Sequence, residues 1–422
     1  MTPDATEPGI LIVTDAYPPD CGGSGWSTHA LVTQLREAGS SVDIMVVDPY
    51  GTAPPAEREF EGTRLRTVSL GSFRTPARHF SAEDYSCGPV REHVAEYLAQ
   101  RPDIRIVHGQ HLHSGQGAAI AARAAGCAAL VTLRDCWPTR LDGVAFPSDD
   151  EATGSPRDWA RRALVDSFGM SAPVAALASS RALLRLASRQ RGLAACHRVL
   201  CVSRAIEYRV GQHLSAPIDI VPNMIDPIHS ARAAERGTPS AIGSAPYLLM
   251  VGKLNAIKGF DRVVDELVAA ECSWPLVVAG AGPAAEAMRA SAAAAGLELV
   301  HLGWTEGDTV MRLARDARAV IVPSVWVDAL PRVILEAMSL GTPPIARATG
   351  GSPEAISNGH DGFLYSSVDQ LAIALRHLED DLAAERIGHA ALESCKAKYA
   401  PDVVLGQVRQ SYERALAEVD NG

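Results

Sequence analysis

The sequence predicts two doubly wound α/β domains, and three observations carry that prediction. The chain has 422 residues, too many for one ordinary core and suited to about two domains of roughly 200 residues each. Short, continuous apolar runs alternate with segments of helical length, as parallel strands covered on both faces require. The alternation comes as two series, separated by one stretch of weak periodicity.

The first series of strand-like runs is "ILIVT" (10–14), "VDIMVV" (42–47), "IRIVH" (104–108), "AALVTL" (128–133), "RVLCVS" (198–203) and "IDIVP" (218–222). The second is "YLLMVG" (247–252), "PLVVAG" (275–280), "LELVHLG" (297–303), "AVIVPS" (319–324) and "PPIA" (343–346). Segments such as "STHALVTQLREAG" and "FDRVVDELVAA" supply the intervening helices. The stretch 224–246 is rich in Ala, Gly, Ser and Pro and marks the seam. With the boundary near Pro227, residues 1–226 form the first domain and 227–398 the second. Residues 399–422 read as a last helix, for which one arrangement is packing back on the first domain.

A hydrophobic fraction of 47% with 21% charged residues marks a soluble globular protein, and a net charge of −10 gives no support to nucleic-acid binding as the main role. The amino terminus has no basic region ahead of a long apolar one, so no secretion signal is expected. No window of about 18 uncharged apolar residues offers a spanning helix. The eight cysteines are scattered, with no CxxC pair and no His/Cys cluster at zinc-finger spacing, and read as reduced thiols of a cytoplasmic protein. One segment runs against the acidic balance. Residues 157–200 contain eight arginines and two aspartates, 8 − 2 = +6. Arg181, Arg185 and Arg189 are spaced four apart along one helical face. They read either as a solvated face or as a patch for an anionic acceptor or a membrane surface.

Four loops could carry chemistry. In "VIVPSVWVDALPRVILEAMSLGTPPIA" (320–346) a buried strand, a turn and a helix follow one another, with the loop at the strand's carboxyl end, where open α/β sheets collect ligands. Pro331 suits the first helical position, so the amides of Arg332 and Val333 stay available at the positive end of the helix dipole, an anion site suited to phosphate. Glu336 lies on an otherwise apolar face and could accept two hydroxyls of a ribose; Asp328 precedes the helix and could reach further hydroxyls. The alternative is that Asp328 caps a turn and Glu336 faces solvent. In "MVGKLNAIKGFDRVVDEL" (250–267) Lys253 and Lys258 follow a buried strand and could neutralise a diphosphate. In "DAYPPDCGGSGWSTHALVTQL" (15–35) Gly22, Gly23 and Gly25 precede a helix and allow close backbone approach, although they do not match GxGxxG. "VAGAGP" (278–283) is a weaker glycine signal that reads equally as a tight turn. In "IVHGQHLHSGQG" (106–117) His108, His111 and His113 stand just past a strand, as an ordinary polar loop, as hydroxyl contacts or, least of all, as a metal site. "TLRDCWP" (132–138) adds Arg134, Asp135 and Trp137 to the same rim.

Together these pieces resemble glycosyltransferase family 4, retaining enzymes with a GT-B fold and an E-x7-E motif. "VGKLNAIKGFDRVVDEL" is similar to the family's VGRL…KG segment. "VPSVWVDALPRVILEAMSLGTPPIARATGGSPEAISNGHDGFLY" is similar to its PS…E-x7-EAMA-G-PV…GG-PE run. "VPNMID" and "DCGGSG" resemble its entry to the second domain and its first glycine turn. The resemblance implies two Rossmann-like domains facing across a cleft and a UDP- or GDP-sugar donor, with no metal and no cofactor besides that co-substrate. It implies that Lys253 and Lys258 hold the diphosphate together with amides at Gly22, Gly23 and Leu330, Pro331, Arg332 and Val333, proline contributing only its place in the loop. Glu336 would bind the ribose, and Asp328 and His111 the transferred sugar. His113, Arg134, Asp135 and Trp137 would face the acceptor, a hydroxyl or less readily a thiol of a small molecule or glycan. Asp328 stands where the family has Glu, one methylene shorter. Two alternatives stay open, an epimerase or hydrolase on the same architecture and, through that departure, a non-catalytic partner that binds a nucleotide sugar.

Overall fold

A computed structural model describes residues 8–19, 21–48, 56–70, 87–149, 154–239 and 245–421. Residues 1–7 and residues 240–244 of the expected seam lie outside the described residues. The chain divides into two compact units, one of residues 1–145, 149–222 and 405–422 and the other of residues 146–148 and 223–404.

The first unit is built on an eight-stranded sheet of β1 (Gly9–Thr14), β2 (Val42–Asp48), β3 (Ala56–Phe60), β4 (Thr63–Ser69), β5 (Ile104–Gly109), β6 (Ala128–Leu133), β7 (Arg198–Cys201) and β8 (Ile218–Ile220). Its order is β3-β4-β2-β1-β5-β6-β7-β8. Every residue of β1 and β6 is buried, which is why those segments read as unbroken apolar runs: helices cover both faces and no side is left for polar residues. The β3–β4 hairpin escaped the sequence reading. β3 is the antiparallel edge strand, its sequence "AEREF" is nearly all exposed, and a solvated edge has no apolar pattern to show. The carboxyl-terminal residues belong to this unit. Tyr412 reaches the core, where its hydroxyl lies 2.9 Å from His108 Nδ1.

The second unit carries β9 (Leu248–Val251), β10 (Leu276–Ala279), β11 (Leu299–Gly303), β12 (Ala319–Val322), β13 (Pro344–Arg347) and β14 (Phe363–Tyr365). The order is β11-β10-β9-β12-β13-β14, parallel throughout. In chain order this is 3-2-1-4-5-6, the doubly wound arrangement. The winding reverses between β9 and β12, so the loops leaving those two strands diverge to opposite faces and open a crevice at their carboxyl ends. The first sheet reverses in the same manner between β1 and β5. The order of strands therefore marks one candidate site in each unit.

Candidate functional site

At the second unit's switch point, β9 delivers Lys253 and Lys258, and β12 delivers Asp328. Asn255 starts the 3-10 turn Ala256–Lys258 by accepting from the Lys258 amide at 3.2 Å. That turn brings Lys258 Nζ to 2.5 Å from Asp328 Oδ2 and 5.2 Å from the centroid of the Trp326 ring. Ser324 Oγ donates to the same carboxylate oxygen at 3.4 Å. Asp328 is buried and Lys258 half-buried, whereas Lys253 is exposed. A lysine and an aspartate 70 positions apart in sequence thus meet because β9 and β12 are neighbours.

The helix after this loop spans Arg332–Ser339. Pro331 stands one position earlier than expected, at the N-cap rather than inside the helix, and its carbonyl accepts from the Ile334 amide at 3.0 Å. Helix geometry still leaves the first-turn amides without an intrahelical acceptor, at the positive end of the dipole. Glu336 sits one turn in. It is largely buried, and Arg332 Nε donates to its Oε1 at 2.7 Å. Burial raises the Glu336 carboxyl above its ordinary range, with Arg332 pulling the other way. The reading in which Glu336 faces solvent is therefore set aside.

Two glycine loops close around this point. Gly350 has φ +54°, and a Cβ there would lie 2.1 Å from the Asp328 carbonyl oxygen; one on Gly351 would lie 1.9 Å from that of Ala329. The Gly351 amide donates to Asp328 O at 2.8 Å. Only glycines let this strand of backbone brace the Asp328–Leu330 loop so closely. Gly280 of "VAGAGP" does the same for the lysine loop, since a Cβ there would meet the Gly252 carbonyl at 1.9 Å. The glycines of that stretch are thus a close backbone approach as well as a turn.

At the first unit's switch point, β1 ends in Thr14 and leads to Asp15, and β5 leads to Gln110 and His111. The Asp15 carboxylate accepts from the amides of His113 and Ser114, each at 2.7 Å, and so occupies the start of the helix Leu112–Ala124. The neighbouring helix, Gly23–Glu37, has Gly22 at its N-cap and no side-chain cap. One helix start is filled by a carboxylate from within the chain, and the other carries no such cap. His111 Nδ1 lies 3.0 Å from Thr14 Oγ1, whose hydroxyl donates to the Ala16 carbonyl at 2.9 Å. The His111 side chain also accepts from the backbone of Ser114, the third residue of the helix. Nε2 is buried without a partner among the described residues, and burial pushes the His111 pKa down to about 4. A neutral imidazole with an unmet ring nitrogen suits a substrate hydroxyl.

The other expected residues separate. His108 lies in the core, with Nε2 2.7 Å from Thr132 Oγ1 and burial lowering its pKa to about 3; it does not share a face with His111 and His113. Arg134 Nη1 donates to Gln110 Oε1 at 2.7 Å. Asp135 accepts from the Trp137 amide at 2.8 Å, and burial pushes its pKa up to about 6. Trp137 is only 1% exposed, so its ring is interior rather than on the rim. The basic face is corrected as well. Arg185 and Arg189 are buried, and Arg189 Nη1 donates to the carbonyls of Trp137 (2.7 Å), Arg140 (3.2 Å) and Leu141 (3.3 Å). Arg189 secures a loop; of the three, Arg181 alone is exposed. Asp15 and Thr14 were missed in the sequence, although a carboxylate directly after a buried strand was the signal.

Two family descriptions match the chain: Glycosyltransferase Family 4 over residues 21–228, and Glycosyl transferases group 1 over residues 233–394. The chain is a family 4-type glycosyltransferase. It is 27% identical over 235 residues to an uncharacterized glycosyltransferase of Methanocaldococcus jannaschii, a match covering 52% of this chain and 60% of that protein. It is 24% identical over 434 residues to a D-inositol 3-phosphate glycosyltransferase of a Nocardioides species, covering 95% of this chain and 87% of the relative. Among solved structures, sucrose-phosphate synthase from Thermosynechococcus elongatus superposes with a TM-score of 0.71 at 17% identity, covering 97% of this chain and all of that one. HepE of Anabaena, solved with UDP, gives 0.66 at 15% identity, covering 96% and 99%. Those likenesses assign the GT-B fold to this glycosyltransferase. Its relatives are transferases of hexosyl groups, which leaves the epimerase, hydrolase and non-catalytic alternatives unsupported. No helix among the described residues is long and apolar enough to cross a membrane.

Proposed function

We propose that the enzyme transfers a hexosyl group from a UDP- or GDP-sugar to a hydroxyl of a small-molecule or glycan acceptor, with retention of the anomeric configuration. The observation that carries this reading is the meeting of Lys258 and Asp328 beside the Arg332–Ser339 helix start, at the switch point of the second sheet. A diphosphate laid there receives Lys253 and Lys258 from one strand and first-turn amides from the other. Lys258 then exchanges its partner Asp328 for phosphate, and Asp328 turns to the sugar's hydroxyls. Glu336, held by Arg332, accepts from the ribose.

In the reaction, the bond from C1 to the phosphate oxygen breaks and its electron pair passes to the diphosphate. The acceptor oxygen bonds to C1 on the same face, and its proton goes to the departing phosphate oxygen. Fixed cations and amides favour that developing charge more than the ground state, which is how they accelerate the step. Because they supply the positive charge, the reading needs no metal ion. In the first unit, His111 Nε2 is assigned to a substrate hydroxyl, and the uncapped amides at Gly22 and Gly23 to an anionic group. His113, Arg134 and Asp135 are assigned to the acceptor. None of the eight cysteines forms a disulfide among the described residues, which fits a reducing compartment and hence the cytoplasm.

Similarity to a GDP-mannose-dependent mannosyltransferase of Mycobacterium tuberculosis and to HepE solved with UDP-glucose keeps both nucleotides in play. A thermal-shift screen of UDP-, GDP- and ADP-sugars, followed by proton NMR of the product's anomeric signal, tests the reading. A rise in melting temperature for one donor and an axial-to-axial outcome support it. No stabilisation by any of them, or an inverted anomer, refutes it.

A further inference from the structure

The loop that brings Asp328 to the second unit's site also carries Trp326, two residues earlier, and its indole is not satisfied within the fold. This loop is pinned to the lysine loop at two points. The Val325 amide donates to the Ile257 carbonyl at 3.0 Å, and Gly259, at φ +80°, lies so close to Pro323 that a Cβ there would meet its carbonyl oxygen at 2.1 Å. Trp326 is held by its own carbonyl, which accepts from the Asp328 amide at 2.9 Å. Its ring centroid is 5.2 Å from Lys258 Nζ, within the range in which a π face attracts an ammonium. The residue is half-buried, yet Nε1 is buried and has no partner among the described residues. A buried indole N–H ordinarily finds an acceptor, and an unmet one is a standing cost that a ligand oxygen would remove.

We propose that Trp326 is a third side chain of the donor site, one that positions Lys258 with its ring face and recognises the transferred sugar with its indole N–H. This rests on the function proposed above, in which Lys258 passes from Asp328 to a phosphate oxygen. A ring face attracts an ammonium without claiming any one of its three N–H bonds, so Trp326 keeps hold of Nζ on both sides of that exchange. The indole N–H can only donate, and the ionised Asp328 carboxylate can only accept. A sugar hydroxyl needs both, one partner for its proton and one for a lone pair, and the two groups stand two residues apart on one braced loop. Together they select a donor by its sugar, whereas the lysines and Glu336 select it by its nucleotide. A phosphate oxygen is the competing acceptor for the indole N–H, and comparing the free nucleoside diphosphate with the nucleotide sugar separates the two.

Trp326→Phe keeps a ring beside Lys258 and removes the N–H, whereas Trp326→Leu removes both. The test is calorimetric titration of the full chain with UDP against UDP-glucose and with GDP against GDP-mannose, which needs no acceptor. The phenylalanine variant should bind the nucleoside diphosphate as tightly as the wild type, yet bind the nucleotide sugar about tenfold more weakly, the worth of one hydrogen bond. The leucine variant should show the same loss for the sugar and also bind the nucleoside diphosphate about tenfold more weakly, because its ammonium is no longer held. Phenylalanine thus restores the second loss and not the first, a split that a merely structural role would not produce. Far-UV circular dichroism certifies the fold, and the phenylalanine variant, which keeps a ring in the loop, carries the test if the leucine variant does not fold. A phenylalanine variant that binds the nucleotide sugar like the wild type overturns the proposal, as does equal weakening of the nucleoside diphosphate and the nucleotide sugar. In both cases the wild type still binds nucleotide and the donor site stands; a wild type that binds none of the four would overturn both readings together.

Discussion

Replacing Lys258 by methionine removes the ammonium and keeps most of the apolar stem, and the structure separates its two consequences. In the free protein Nζ lies 2.5 Å from Asp328 Oδ2, with the lysine side chain 33% and the aspartate 12% exposed. Solvent reaches the lysine, so the pair contributes about 1 kcal/mol rather than the 3–5 kcal/mol lost when a fully buried pair is broken. For a unit of this size, about 1 kcal/mol lowers the melting temperature by roughly 2–4 °C. In the transition state the same ammonium meets the charge growing on the leaving diphosphate, where one fixed donor is worth about 3 kcal/mol. That corresponds to roughly a hundredfold in kcat. Steady-state release of the nucleoside diphosphate over a range of donor concentrations measures both kcat and KM. The expected result is a fall in kcat of about a hundredfold with a much smaller change in KM, and a modest loss of thermal stability. An unchanged kcat with a raised KM would mean that Lys258 binds ground and transition states alike, and the reasoning would fail.

Other outcomes follow from the same geometry. Glu336→Gln should weaken UDP or GDP binding about tenfold, the worth of a hydrogen bond to a charged group, and weaken the 2′-deoxy nucleotide less, since it keeps only one of the two hydroxyls; calorimetric titration of both nucleotides checks this. His111 protonates near its ordinary 6.5 when unfolded and near 4 when folded, so between those values the unfolded chain binds more protons. Its stabilisation is complete above pH 6.5 and fades as pH falls toward 4, by up to about 3 kcal/mol. His111→Gln should therefore flatten the pH dependence of the melting temperature in that window. Gly351→Ala places a Cβ 1.9 Å from the Ala329 carbonyl and should destabilise the second unit by roughly 3 kcal/mol or more, read as a drop in melting temperature together with loss of nucleotide binding.

The second unit's site was the more legible in the sequence. Lys253 and Lys258 follow one apolar run, and Asp328 and Glu336 flank a helix start after another, so local pattern alone placed each at the carboxyl end of a strand. The pairing of Lys258 with Asp328 was not legible, because it depends on β9 lying beside β12, and neighbour order is a property of the sheet. The same cause hid Asp15. Its carboxylate serves amides 98 and 99 positions away, which only the adjacency of β1 and β5 brings within reach. Local periodicity misled at Arg185 and Arg189, where a spacing of four marks one face without saying whether that face meets water or a loop full of carbonyls. Trp137 was likewise given to the rim, because a residue two places past Asp135 can turn inward after any strand. The β3–β4 hairpin had no apolar run to announce it.

The central claim is that the second unit binds a diphosphate at the carboxyl ends of β9 and β12. A crystal structure of the chain with its UDP- or GDP-sugar, or with the nucleoside diphosphate alone, tests it most directly. The account predicts phosphate oxygens within hydrogen-bonding distance of Lys253, Lys258 and the Val333 amide, with the ribose on Glu336. A diphosphate bound away from both lysines, with the Lys258–Asp328 pair undisturbed beside it, would contradict the account.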